Sequence, residues 1–212
     1  MAEFSGDTLA CERGERLVFS GLSFRLAAGD ALVLTGANGA GKSSLLRIMA
    51  GLLPLAAGRL CWDGCDIARD PDAQRGRVRY VGHADAVKPA LSAAENLRTW
   101  AVLWGGPGTA DERVDRALDA FGIDRLADVP GRYLSAGQRR RLALARLLVA
   151  PSAIWLLDEP RTSLDADAVT LLDEAIARHR AAGGLVVVAL HGEGRPAAAQ
   201  VLHLGDGWAE AC

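Results

Sequence analysis

The chain has 212 residues, enough for one α/β domain or a core domain carrying a modest insertion. Half of the residues are hydrophobic and 24% are charged, a globular composition that excludes a disordered chain. Lys plus Arg total 24 against 26 acids, and the net charge of −2 lacks the basic footprint of a dedicated nucleic-acid binder.

No run of about 18 apolar residues is present, so no membrane-spanning helix is expected. The N-terminal segment carries acids early and has no apolar stretch of the signal-peptide kind, which predicts a cytosolic protein. Cys11, Cys61, Cys65 and Cys212 then read as ordinary small residues rather than a disulfide framework. Cys61 and Cys65 flank Trp62-Asp63-Gly64, a strand–turn–strand pattern, and no second Cys or His pair at ligand spacing completes a zinc site.

Leu17–Phe19 and Leu22–Leu26 read as strands, and Ala28-Gly29-Asp30 as a turn. The continuous apolar run Ala31–Thr35 predicts a strand buried on both faces. A glycine-rich segment over 36–41 leads into a helix with apolar positions Leu45, Leu46, Ile48, Met49 and Leu52, stopped by Pro54. Leu60–Ile67 reads as a hairpin turned at Asp63-Gly64, and Val78–Val81 as a further strand.

The character then changes. Ser92 and Glu95 form a capping box before a helix through Leu97, Trp100 and Trp104, closed by Gly105-Gly106. Asp111 opens a second helix, ended at Gly122. Ser135 and Gln138 form another capping box, whose helix runs to Pro151. Sheet character returns at Ala153–Leu157 and Leu185–Leu190, on either side of a helix over about 165–180. Val201–Leu204 and Gly207-Trp208 suggest a terminal hairpin. This alternation predicts a mostly parallel sheet covered by helices, with a helical insertion near 88–150.

Gly36-Ala-Asn38-Gly39-Ala-Gly41-Lys42-Ser43 matches G-x4-G-K-[ST] between a strand and a helix. Glycines let successive N–H groups turn inward around a phosphate, and the helix N-terminus adds its positive end. Lys42 is placed for the β and γ phosphates and the Ser43 hydroxyl for Mg2+. Ile154–Leu157 is an apolar run ending in Asp158-Glu159-Pro160. Asp158 at the strand tip suits Mg2+, and Glu159 is placed to polarise an attacking water. Leu134-Ser135-Ala136-Gly137-Gln138 precedes a basic helix; it is a capping box and an anion-binding helix start at once.

The order of these three motifs resembles the ATP-binding cassette (ABC) ATPases over nearly the whole chain. The resemblance implies a P-loop NTPase (RecA-like) α/β core, about 1–87 and 150–212. It also implies an antiparallel β subdomain and an inserted α-helical subdomain, about 88–149. It implies ATP and Mg2+ as cofactors. Gly36, Asn38, Gly39, Gly41, Lys42, Ser43 and Ser44 would hold nucleotide from one protomer, and Ser135, Gly137 and Gln138 would close over it from the other. The family pairs two cassettes head to tail around two ATP. Thr162-Ser163-Leu164-Asp165 resembles the loop that runs along that interface, and His191 matches the histidine that contacts the γ-phosphate.

Two positions depart from the family pattern. Tyr80-Val81-Gly82-His83 has His83 where Gln is usual, which places an imidazole toward a metal-bound water. Arg13-Gly14 stands where an aromatic usually stacks on adenine. A guanidinium stacks on a purine too, and a solvated loop charge is the other reading of Arg13.

Cys11-Glu-Arg13-Gly-Glu-Arg16, Phe19-Ser-Gly21-Leu-Ser-Phe24, Gly82-His83 and Trp155 before Leu-Leu-Asp-Glu-Pro further resemble the ATPase subunits of bacterial cytochrome c maturation haem exporters. That narrower resemblance implies an enzyme peripheral to the cytoplasmic face of the inner membrane, docked on integral permease subunits. Their short helix would meet His83–Pro89 and the helix of Trp100 and Trp104, in a groove between core and helical subdomain. The two Trp side chains read first as subdomain core, since large aromatics are mostly buried, which makes the loop residues the better contact. No C-x-x-C-H is present, so direct haem binding is not expected. The alternatives are a soluble ABC ATPase serving a cytosolic assembly such as Fe–S scaffolds, or a transporter ATPase for another substrate. A nucleic-acid factor of the superfamily needs two cassettes or a coiled coil, for which 212 residues leave no room. A degenerate regulatory cassette is opposed by the retained Lys42, Asp158, Glu159 and His191.

Overall fold

The protein is described here by a computed structural model that covers residues 2–190 and 196–205. Its backbone contacts divide it into two compact units. One comprises residues 1–82, 153–159 and 178–212; the other comprises 83–152 and 160–177.

The first unit holds two sheets. Strands β1 (Glu3–Arg13), β2 (Arg16–Ala27), β4 (Ala57–Trp62) and β5 (Cys65–Asp66) form an antiparallel sheet in the order β2-β1-β4-β5. Phe4, Leu9, Cys11, Phe24, Leu26 and Leu60 are buried in its core. Burial pushes the Cys11 thiol above its ordinary pKa, as fits a packed small residue rather than a reactive one. The two short strand segments expected over 17–26 are one long strand, because β1 supplies hydrogen-bond partners on both sides of Gly21. β1 itself had no clear sequence signal: its register against β2 shifts three times, so its apolar residues do not keep a period of two.

The second sheet is parallel throughout. It has the order β6 (Val78–Val81), β7 (Ile154–Asp158), β8 (Leu185–Ala189), β3 (Ala31–Thr35), β9 (Gln200–His203). β7 and β8 are buried at every position, which explains their unbroken apolar runs. α1 (Lys42–Met49) packs on β7 and β8 through its apolar face. β9 pairs with β3 in parallel; the second arm of the expected terminal hairpin falls outside the described residues. Gly207-Trp208 and Cys212 lie outside the described residues. A short helix, α2 (Pro71–Arg77), precedes β6; Asp70 caps it and Pro71 starts it.

The second unit is helical: α3 (Ala93–Trp104), α4 (Ala110–Ala120), α5 (Ala136–Ala145) and the first three turns of α6 (Ala166–Ala181). α3 and α5 begin with the expected Ser92–Glu95 and Ser135–Gln138 capping boxes. α4 begins at Thr109, not Asp111. The Thr109 hydroxyl accepts from Glu112 N at 3.2 Å, while the Glu112 carboxylate accepts from Thr109 N at 2.9 Å. That backbone bond holds the Glu112 carboxyl below its ordinary pKa. Arg113 is buried and satisfies carbonyls that helix ends leave open, including Ala101 at 2.6 Å and Val149 at 2.8 Å. α5 gives way to a 3-10 turn over Arg146–Leu148 before Pro151.

Candidate functional site

In the first unit the glycine-rich segment bridges the end of β3 and the start of α1. Gly36 and Gly41 have φ of 138° and 101°, conformations that side chains rarely adopt. Space forbids a side chain as well: a Cβ on Gly36 would lie 2.3 Å from the Leu204 carbonyl oxygen, and one on Gly41 would lie 2.6 Å from Val18. Gly41 is the N-cap of α1 and has no side chain to cap it, which leaves the first-turn N–H groups for an anion. Asn38 and Gly39 are exposed at the loop tip, and Ser44 is half-buried in the first turn of the helix.

Lys42 is 6% exposed. Its ammonium donates to the carbonyls of Gly36 at 2.7 Å and Ala37 at 2.9 Å, so the side chain arches back over the loop. Burial lowers its pKa, and the charges of Glu159 and Asp158 oppose that shift. The lysine therefore belongs electrostatically to the acids at the tip of β7.

Asp158 is 2% exposed, at the end of β7. Ser43 donates to its Oδ1 at 3.0 Å, and the Tyr80 hydroxyl lies 3.4 Å from its Oδ2. Ser43 and Asp158 offer hard oxygen donors only, which suits Mg2+ rather than a softer ion. Glu159 follows in a left-handed conformation with φ 49°, and its N–H bonds to the Ala189 carbonyl at 3.1 Å. That twist turns a half-buried carboxylate away from the strand direction of its neighbour.

In the sequence Tyr80 stands only as context for His83, and Arg47 belongs to no motif. Yet Tyr80 hydrogen-bonds to Asp158, the Arg47 guanidinium acts on its hydroxyl as a neighbouring charge, and burial raises its phenol pKa. The available signal was spacing: Ser43 and Arg47 are four residues apart on one helix, so both face the same neighbour. Arg13 is exposed where β1 turns into β2. His191 lies outside the described residues.

The second unit carries the other motif. Ser135 is exposed at the N-cap of α5; its hydroxyl accepts from Gln138 N at 3.2 Å, and Gln138 Oε1 accepts from Ser135 N at 2.8 Å. A Cβ on Gly137 would lie 3.0 Å from the Ser163 carbonyl oxygen, so the motif packs closely on the 162–165 loop. Arg141 holds Asp165 through both carboxylate oxygens at 2.7 Å. Asp165 also accepts from Ala168 N at the start of α6, and that bond heads the causes that lower its pKa. His83 is exposed at the first position of this unit.

Val87 is half-buried, and its Cγ1 would lie 2.8 Å from a Cβ on Gly131. It packs within the helical unit. Trp100 and Trp104 are half-buried and face each other, ring centroids 4.7 Å apart, with the Arg146 guanidinium 5.2 Å from the Trp100 ring. Burial lowers the Arg146 pKa to about 10, still a cation at neutral pH.

A phosphate cradle, an acid-tipped β7 and a capped serine helix define a nucleotide-binding cassette. The ABC transporter family profile matches residues 19–162. The chain belongs to that family. It is 56% identical over 202 residues to a protein of Paramagnetospirillum magneticum, covering 95% of this chain and 93% of that one. It is 58% identical over 190 residues to one of Rhodospirillum rubrum, covering 90% and 80%. Both relatives are named cytochrome c biogenesis ATP-binding export protein CcmA. An ABC transporter ATP-binding protein from Pyrococcus furiosus superposes with a TM-score of 0.82 at 22% identity, over 95% of this chain and 97% of that one, and shares its fold.

Proposed function

We propose that this chain is the ATP-hydrolysing subunit of a membrane export complex of cytochrome c maturation, one that handles haem. The observation that carries the catalytic half is the Lys42–Ser43–Asp158–Glu159 constellation around one helix start. The high identity to the CcmA proteins supports the rest.

In this reading ATP binds with its phosphates in the Gly36–Ser44 loop. The Lys42 ammonium exchanges its two carbonyl partners for β and γ phosphate oxygens. Ser43 and Asp158 hold Mg2+, which when bound neutralises charge on the β and γ oxygens. Glu159 accepts the proton of the attacking water. Ser135, Gly137 and Gln138 of a second copy complete the site, and His191 and His83 report the γ-phosphate and the water. Arg13 stacks on the adenine. The protein then works as a head-to-tail homodimer on the cytoplasmic face of the inner membrane. Among the described residues no helix is long and apolar enough to cross a membrane, so attachment falls to permease subunits. Their contact surface is the 83–89 segment with the Trp100 and Trp104 face of α3.

The test is affinity purification from detergent-solubilised membranes. Integral subunits of the cytochrome c maturation system, with haem in the complex, are the expected co-purifying partners. Recovery of a cytosolic scaffold assembly instead, with no membrane subunit, overturns the reading.

A further inference from the structure

Asp158 is held at both carboxylate oxygens, by Ser43 of α1 and by Tyr80 of β6. Ser43, in the first turn, donates directly to Oδ1 at 3.0 Å. The Tyr80 hydroxyl donates to the other oxygen, Oδ2, at 3.4 Å, and Arg47, one turn after Ser43 on the same face of α1, sets its positive charge near that hydroxyl. Tyr80 stands on β6, beside Leu156 of β7, so its backbone is fixed by the sheet two residues before the carboxylate. A phenol suits this place because it faces a guanidinium charge and donates to a carboxylate at once.

Room for that phenol is kept by Gly82. A Cβ there would stand 2.9 Å from the Tyr80 hydroxyl oxygen and 3.1 Å from Cζ. The pair Tyr80 and Gly82 is therefore one device: the glycine leaves the space and the phenol fills it.

We propose that Tyr80 is a positioning residue for metal binding, orienting the Asp158 carboxylate with Arg47 behind it and Gly82 making room. The proposal rests on the nucleotide-site reading given above. Ser43 has to turn toward a metal when one binds, and its hold on Oδ1 is then given up. The Tyr80 bond keeps Oδ2 fixed while Oδ1 is released. Partners that orient a metal ligand typically contribute about 10- to 100-fold in metal affinity.

The experiment measures binding of a fluorescent ATP analogue, first in EDTA and then across a Mg2+ titration, with no turnover required. Wild type, Tyr80→Phe, Arg47→Met and Gly82→Ala are compared. In EDTA all four are expected to bind equally, since none of these side chains lines the phosphate loop. The Mg2+ midpoint is expected to rise about 10-fold in Tyr80→Phe, the low end of the range for such partners. Arg47→Met and Gly82→Ala should shift it in the same direction. In the Tyr80→Phe background, Arg47→Met should add nothing, because its effect passes through the hydroxyl. A Tyr80→Phe titration that superimposes on wild type overturns the proposal and leaves the nucleotide site standing. Equal weakening with and without Mg2+ also overturns it, as the mark of a merely structural role. Failure of wild type to bind the analogue overturns the nucleotide-site reading and the proposal with it.

Discussion

The imidazole of His179 lies flat on the indole of Trp155, ring centroids 4.1 Å apart and planes 5° from parallel. His179 sits in the last turn of α6 and Trp155 on the buried strand β7, so the stack fastens a helix end to the sheet. Burial lowers the His179 pKa from 6.5 to about 4, and a backbone hydrogen bond at Leu185 only partly opposes it. The folded protein thus keeps this ring neutral where the unfolded chain has begun to charge it. Between pH 6.5 and 4 the unfolded state binds more protons, so stability rises with pH across that window and is lost as pH falls through it. The ring is partly exposed, and solvent screening reduces the effect to on the order of 1–2 kcal/mol. Denaturant unfolding from pH 7 to 4 should show this slope in wild type and a shallower one in His179→Phe. Identical slopes would remove His179 from the acid response.

Gly184 explains why the stack holds its geometry. A Cβ at that position would stand 2.3 Å from both Cε1 and Nε2 of His179, and the ring cannot move back because Trp155 lies behind it. Gly184→Ala should therefore destabilise the protein by about 1–3 kcal/mol, the usual range for overpacking. His179→Ala in the same chain should recover most of that loss, since the three atoms nearest to the added Cβ all belong to the ring. Thermal unfolding of the two single variants and the double variant reads this directly. Simple additivity would show that the strain lies in the backbone instead.

The parallel sheet and the phosphate loop were legible in the sequence because both depend on local patterns. Residues 31–35, 154–158 and 185–189 are buried on both faces, and their apolar runs announce it. The spacing of Gly36, Gly41, Lys42 and Ser43 is dictated by the backbone conformations and close contacts of one turn. Ser92 and Ser135 reveal their helices because a cap acts within four residues. What escaped was set by distant partners. β1 keeps no period, since its register is bulged three times to match β2. The pairing of β9 with β3, 168 residues earlier in the chain, has no local signal either. Tyr80 is an ordinary strand residue until Asp158, 78 positions later, closes on its hydroxyl.

Glu159→Gln should abolish turnover and preserve ATP binding. The carboxylate is half-buried, turned aside by its positive φ, and acts with Asp158 on Lys42 only as a neighbouring charge. Loss of a positioned general base typically costs about 10²–10⁴-fold in rate. Asn-like or Gln-like amides keep the shape of the side chain, so nucleotide should remain bound and hold the paired form, seen by light scattering. Turnover near wild type would assign the base elsewhere.

Pairing itself is testable by complementation. Lys42 and Ser135 belong to different motifs, and in a head-to-tail pair each site takes one from each copy. Lys42→Ala and Ser135→Arg should each be inactive alone. Ser135→Arg also removes a cap worth about 1 kcal/mol, so its fold must first be checked by circular dichroism. Mixed, the two variants form one site with both motifs intact, and turnover should reappear. A mixture as inactive as its components would show that the site is not shared.

The surface for the membrane subunit is better tested at Lys88 than at Val87. Val87 packs on Gly131, so a charge there would weaken the helical unit and blur the readout. Lys88 is exposed, and its structural duty falls to its backbone: the N–H donates to Asn96 Oδ1 at 2.7 Å and the carbonyl accepts from Asn96 Nδ2 at 3.2 Å. Those bonds anchor the 83–92 loop to α3 whatever the side chain, so Lys88→Glu should change stability by no more than about 0.5 kcal/mol. Asn96→Ala, by contrast, should loosen the whole loop, because one buried amide holds the Lys88, Leu91 and Ser92 carbonyls. If this loop carries the contact, Lys88→Glu reverses a charge at its centre and should release the protein from membranes, with ATP affinity unchanged. Membrane fractionation beside nucleotide binding decides it. Retention of Lys88→Glu on membranes together with release of Asn96→Ala would place the contact in the loop backbone. Retention of both would move it to another face.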